Sequence, residues 1–200
     1  MNKPTSLSGP EANLAKALKA RFPGERVECL AKLLSKALER DYITYKQIDM
    51  PDEEKEDLIL FVYTNRLLMP ARSGRPMAWE DSSITLDPDE SYKMPGVIAR
   101  IVQYARETGR WEPDRAILDY LLELGDRRAI YKLKLFQSLK ARAENGKVTP
   151  HTFYRSAAEV DSCININQAI AEFKGAGMIS PCLHRSVLSG VIEYEINPSL

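Results

Sequence analysis

His151, Cys163, Cys182 and His184 are the side chains in this sequence best suited to hold a metal or to act as a nucleophile. Cys182 and His184 stand two apart on an expected strand and so would point to one face. With Cys163 and His151 they would supply two thiolates and two imidazoles, the donor set of a tetrahedral zinc site. Zinc modules bring their ligands in close pairs, whereas only one such pair exists here, and Pro181 with the loop expected from 184 disturbs its geometry. The cysteines are therefore read as small buried thiols and the histidines as surface imidazoles. A Cys–His nucleophile would also need an orienting third group and an oxyanion site, and no motif supplies them. Glu193 and Glu195 share a strand face, where carboxylates commonly serve solubility. Phosphate loop, dinucleotide fingerprint and zinc-protease helix are all missing from the sequence. Two histidines leave little acid–base capacity near neutral pH. The expectation is a non-enzyme with no catalytic residue, no metal and no cofactor.

The elements around these residues are those of an ordinary globular chain. Two hundred residues suit one large domain or two small ones, and 44% apolar with 28% charged side chains is a normal composition. Basic and acidic residues balance at 28 each, which weakens the case for a partner bound by bulk charge alone. Charge is slightly asymmetric: residues 1–94 carry 14 basic and 16 acidic side chains, and 95–200 carry 14 and 12. Three cysteines without framework spacing suit a reducing compartment, the longest wholly apolar run (58–63) is too short to span a bilayer, and the first 22 residues lack a signal peptide's apolar segment. A cytoplasmic protein without membrane contact is expected.

Periodicity predicts helices at 11–22 and 26–40, a short extended piece at 42–44, a helix from 52 to about 66, and strands at 67–69 and 83–86. The polar stretch 87–90 reads as a linker. Further helices are expected from about 95 to 108, at 113–124, and from a cap at Asp126 through 145, the last with Ile130, Leu133, Leu135, Phe136 and Leu139 inward. Residues 148–149 read as extended and 150–160 as a helix. The helix at the start of NINQAIAEFKGAGMISP (165–181) is followed by strands at 178–183 and 191–196, the last a half-buried edge with Glu193 and Glu195 in water.

Both halves thus spell helix, short strand, helix, helix, strand, loop, strand. ALERDYITYKQI compares in pattern with ARAENGKVTPHTF, and NRLLMPARSGRP with GAGMISPCLHRS. This order resembles the winged-helix family of helix-turn-helix domains, over residues 26–87 and again over 127–197. The resemblance implies a mainly α fold with small β-hairpins (α+β): tandem winged-helix domains at 1–92 and 127–200, with connecting helices at 93–126. It makes the helix after Asn165 the recognition helix and 184–190 the wing.

The resemblance implies double-stranded DNA as partner and a transcriptional regulator as the protein. Placed at 100° steps, the helix turns Asn167, Gln168, Ala171, Glu172 and Gly175 outward. Asn and Gln can bond the adenine edge bidentately, and small residues admit a helix deep into the groove. Candidate phosphate contacts are Lys134, Arg155, Lys174, His184 and Arg185, with Arg72 and Arg75 on the first half's loop. The alternative is an adaptor that binds a protein partner or a second copy. It is favoured by the five carboxylates against one ammonium at 52–57 and by the all-round apolar run that follows. Leu58, Leu60, Phe61, Tyr63, Ala171 and Gly175 are its candidate contacts.

Overall fold

The computed structural model describes residues 7, 9–24, 26–71, 78–79, 86–182 and 190–200. Among these, the chain is mainly helical with two small three-stranded antiparallel sheets. The first half runs α1 (Gly9–Arg21), α2 (Val27–Leu38), β1 (Ile43–Thr44), a 3-10 turn (Tyr45–Gln47), α3 (Asp52–Thr64), β2 (Met69–Pro70) and β3 (Ser91–Lys93). α2 forms because Leu30, Leu33, Leu34 and Ala37 recur on one stripe, and all four are buried. β3 lies between β1 and β2, with Tyr92 opposite both Ile43 and Pro70.

Two expectations change here. The partner of β2 is β3, whereas the strand expected at 83–86 falls at 83–85 outside the described residues and Leu86 is exposed and unpaired with a strand. Residues 87–90 are a hydrogen-bonded turn. Glu90 N–H donates to the Asp87 carbonyl (2.9 Å), and the Glu90 and Pro88 carbonyls accept from Tyr45 and Lys46 N–H (3.0 and 3.2 Å). A polar turn bearing proline and a linker have the same composition, and only these non-local bonds distinguish them. A boundary after residue 92 would cut the central strand of the sheet.

Three helices follow: α4 (Gly96–Thr108), α5 (Pro113–Glu123) and α6 (Ala129–Arg142). Asp126 bonds the Arg128 N–H at 2.8 Å, ahead of the first helical residue. α6 ends at Arg142, earlier than expected. Asn145 and Gly146, at φ 52° and 73°, make a two-residue turn closed by mutual 3.0 Å bonds between Glu144 and Lys147. An Asn-Gly pair favours that turn strongly, and it stops the helix. Ile130 is exposed; the inward side of α6 is Lys132, Leu133, Leu135, Phe136 and Leu139.

The second half runs β4 (Lys147–Val148), α7 (Pro150–Val160), α8 (Ile166–Gly175), β5 (Ile179–Pro181) and β6 (Tyr194–Ile196). β6 is the central strand, pairing β4 and β5 in the register Ile179↔Ile196 and Val148↔Tyr194. It is therefore no edge, and its acids are only half-exposed. Glu195 meets Arg66 of the first half at 3.2 Å.

One apolar cluster runs from Leu14 to Leu200 through both halves. Phe22 joins Phe61 and Trp111 edge-on at 5.4 and 5.9 Å. The polar part of the junction is the tail after β6. Asn197 Nδ2 donates to the Gly177 carbonyl (3.0 Å) and the Arg66 carbonyl (3.3 Å), and Trp111 Nε1 donates to the Ser199 carbonyl (2.9 Å). Asn197 and Ser199 are buried, so these bonds satisfy groups that would otherwise be costly. No described helix is long and apolar enough to cross a membrane.

Candidate nucleic-acid interface

The helix pair α7–α8 is set by local chemistry. Thr149 and Thr152 form a reciprocal capping box with Pro150 at the first helical position, which fixes the start of α7. Phe153, Ser156 and Ala157 face inward. At the turn, Asp161 Oδ1 accepts from Cys163 N–H (2.9 Å), and its carboxylate also pairs with Arg128 (2.9 Å). Asn165 caps α8, its side chain accepting from the Gln168 N–H at 3.1 Å.

α8 buries Ala169 and Phe173 fully and Ile166 and Ile170 in part. Its exposed side presents Asn167, Gln168, Ala171 and Gly175, as the 100° spacing predicts, together with Lys174, which that spacing does not place outward. Glu172 departs from that expectation. It leans back to Lys132 on α6, which is 3% exposed and also holds Asp126 at 2.7 Å. Gln168 Nε2 donates to the other Glu172 oxygen at 2.8 Å. The one carboxylate of α8 is thus withdrawn beneath the exposed face, which is left with one cation and no acid of its own.

The expected phosphate contacts divide. Lys174 is exposed on α8 itself. Arg155 is exposed on α7 and lies 3.6 Å from Glu159, to which Arg142 is also paired. Lys134 is exposed but is two residues from Lys132, about 200° around the helix. It therefore points away from the side of α6 that meets α8, and the fold does not bring it to this face. His184, Arg185, Arg72 and Arg75 lie outside the described residues. Of the four side chains weighed as zinc donors, Cys182 is buried, Cys163 and His151 are exposed, and His184 lies outside the described residues; no described group of three ligating residues converges.

On α3 the all-round burial expected for the apolar run is not what the fold produces. Leu58 is buried, Phe61 and Tyr63 are half-buried, and Leu60 is 58% exposed. A helix lying on one core can bury only one side. Tyr63 donates from its hydroxyl to the Trp79 carbonyl (3.1 Å), and Phe61 meets Phe22 edge-on, so both serve the interior. The outer side of α3 carries Glu53, Glu56 and Asp57 beside Leu60. A phosphate backbone would be repelled there.

The Asp126–Lys132–Glu172 group escaped the sequence reading because its members are far apart in the chain and share no helical spacing. The one available signal was a lysine at a position whose neighbours at i+1, i+4 and i+7 are Leu133, Phe136 and Leu139.

A model of an uncharacterised protein family matches residues 12–200. The chain belongs to that family. The match covers both halves and the helices between them, the same span as the single apolar core. No curated protein and no solved structure matches the chain.

Proposed function

We propose that this family member is a non-enzymatic tandem winged-helix protein of the transcriptional-regulator type, binding duplex DNA through the exposed side of α8. The observation that carries the reading is the withdrawal of Glu172 into its ion pair with Lys132. It removes the acid that would oppose phosphate and leaves Asn167, Ala171, Lys174 and Gly175 outward. Asn167 is the principal base reader, because the Gln168 amide is engaged with Glu172. Lys174 and Arg155 hold phosphates, and α3 braces the first half without entering a groove. Free cysteines and balanced charge suit the cytoplasm.

A second reading, the protein-binding adaptor, is favoured by a different observation. Arg128, Arg142 and Arg155 are each within ion-pair distance of a carboxylate, and Leu60 stands exposed among acids on α3. A titration of mixed duplex DNA over a salt series separates the two. Under the first reading affinity falls steeply with salt, and Lys174→Ala lowers the log–log slope by about 1. Asn167→Ala weakens preferred sequences by roughly 5–150-fold, the equivalent of about 1–3 kcal/mol. Absence of measurable binding at low salt would transfer the protein to the adaptor class.

A further inference from the structure

A cleft of about 370 Å³ opens between α7 and the first turn of α8. Tyr154 and Ala158, four residues apart and so on one side of α7, form one wall, and Ile166 and Asn167 at the start of α8 form the other. The floor is Ala157 and Ile164, both buried. Local bonds fix the turn that joins the two walls. Ile164 N–H donates to the Asp161 carbonyl (3.1 Å), and the Asn165 side chain is held by its cap bond from the Gln168 N–H (3.1 Å). The core leaves the aromatic wall in solvent, with Tyr154 60% exposed. None of the described residues that line the cleft is charged.

We propose that this cleft receives the 5-methyl group of a thymine in the major groove of duplex DNA, which makes Tyr154 a specificity-determining residue. The inference rests on the reading that α8 meets DNA, and it adds which base the face prefers at or beside the pair that Asn167 bonds. Position brings base edges to the cleft. Ile166 and Asn167 belong both to its wall and to the first turn of α8, so a groove that admits that turn reaches the cleft mouth. The lining then selects among the groups that a duplex offers. Phosphate oxygens are held by cations, and the cleft carries none, whereas its floor and both walls carry apolar surface. Donors and acceptors of a polar base edge would lose water over Ala157 and Ile164 without gaining partners. Thymine alone presents an apolar group in the major groove, and alanine and aromatic carbons are suitable contacts for it. The Tyr154 ring has only two side-chain torsions to fix, so the contact costs little conformational entropy.

The test uses the full chain and the duplex it selects from a random pool, with affinity read by fluorescence anisotropy at low salt. Each thymine of that duplex is replaced singly by deoxyuridine, which removes the methyl group and nothing else. Replacement at one position is expected to weaken binding by about fourfold, the effect of exposing one buried methyl group. Tyr154→Ala should bind the thymine and deoxyuridine duplexes alike at that position, whereas Tyr154→Phe, which keeps the ring, retains the discrimination. A selected duplex without enriched thymine overturns the inference. So does a wild-type chain indifferent to every deoxyuridine replacement, or a Tyr154→Ala chain that still discriminates. The DNA reading survives all three results. A chain that binds no duplex overturns that reading and this inference together.

Discussion

Replacing Lys132 by methionine tests how α8 is held and why its exposed face lacks an acid. The ammonium is 3% exposed and lies 2.7 Å from Asp126, with Glu172 on its other side. Methionine keeps most of the stem's volume but leaves two carboxylates facing each other without a cation. Removing one partner of a fully buried pair costs about 3–5 kcal/mol. The Asp126 and Glu172 side chains retain 9% and 17% exposure, so some water reaches them, and a loss of about 2–4 kcal/mol is expected. For a chain of this size that lowers the melting temperature by about 5–12 °C. Thermal and urea unfolding measure it directly. Adding Asp126→Asn and Glu172→Gln to Lys132→Met removes the repulsion and should recover more than half of the loss. A loss below about 1 kcal/mol for Lys132→Met would show that the ammonium is solvated and that Glu172 is free to occupy the outer side of α8.

Other outcomes follow from single positions. Gly177 has φ 74°, and a Cβ there would lie 2.4 Å from Cβ of Pro95, at the junction of α8 with α4. Gly177→Ala should therefore cost about 2–4 kcal/mol in urea unfolding, and a neutral result would contradict that close approach. Burial of Tyr92, assisted by the nearby Glu90 carboxylate, pushes its phenol up to about 12 from the ordinary 10.0. The unfolded chain releases this proton from about pH 10 while the folded chain keeps it, so the contribution is full below pH 10 and is lost as pH rises towards 12. The loss amounts to roughly 2–3 kcal/mol at its end. Melting temperature followed from pH 9 to 12 should fall less in Tyr92→Phe than in the wild-type chain; equal slopes would refute the assignment.

Much of the fold was legible because local chemistry and tertiary packing agree. Thr149-Pro150, Gly109 and the apolar spacing of α2 and α8 each mark an element that forms as expected. The failures share one cause. The pairing of β2 with β3, the anchoring of 87–90 and the central place of β6 depend on hydrogen bonds between distant segments, to which composition is blind. The Asn145-Gly146 turn was a local signal overridden by the apolar period of α6. At the candidate site, exposure of Asn167, Gln168, Ala171 and Gly175 could be read from spacing alone, whereas that of Lys174 could not. Withdrawal of Glu172 could not, because a helical wheel places a side chain's root and leaves its tip unspecified. Exposure of Leu60 was missed for a related reason: an apolar run says nothing about how many neighbours the fold provides.

The most direct measurement is a two-dimensional amide NMR titration of the intact chain with a short mixed-sequence duplex at low salt. Shifts concentrated at residues 165–175 and on the exposed side of α7, with 52–64 unmoved, are the expected result. Shifts centred on 52–64, or no shifts at any residue with duplex in excess, would contradict α8 as the face that meets DNA.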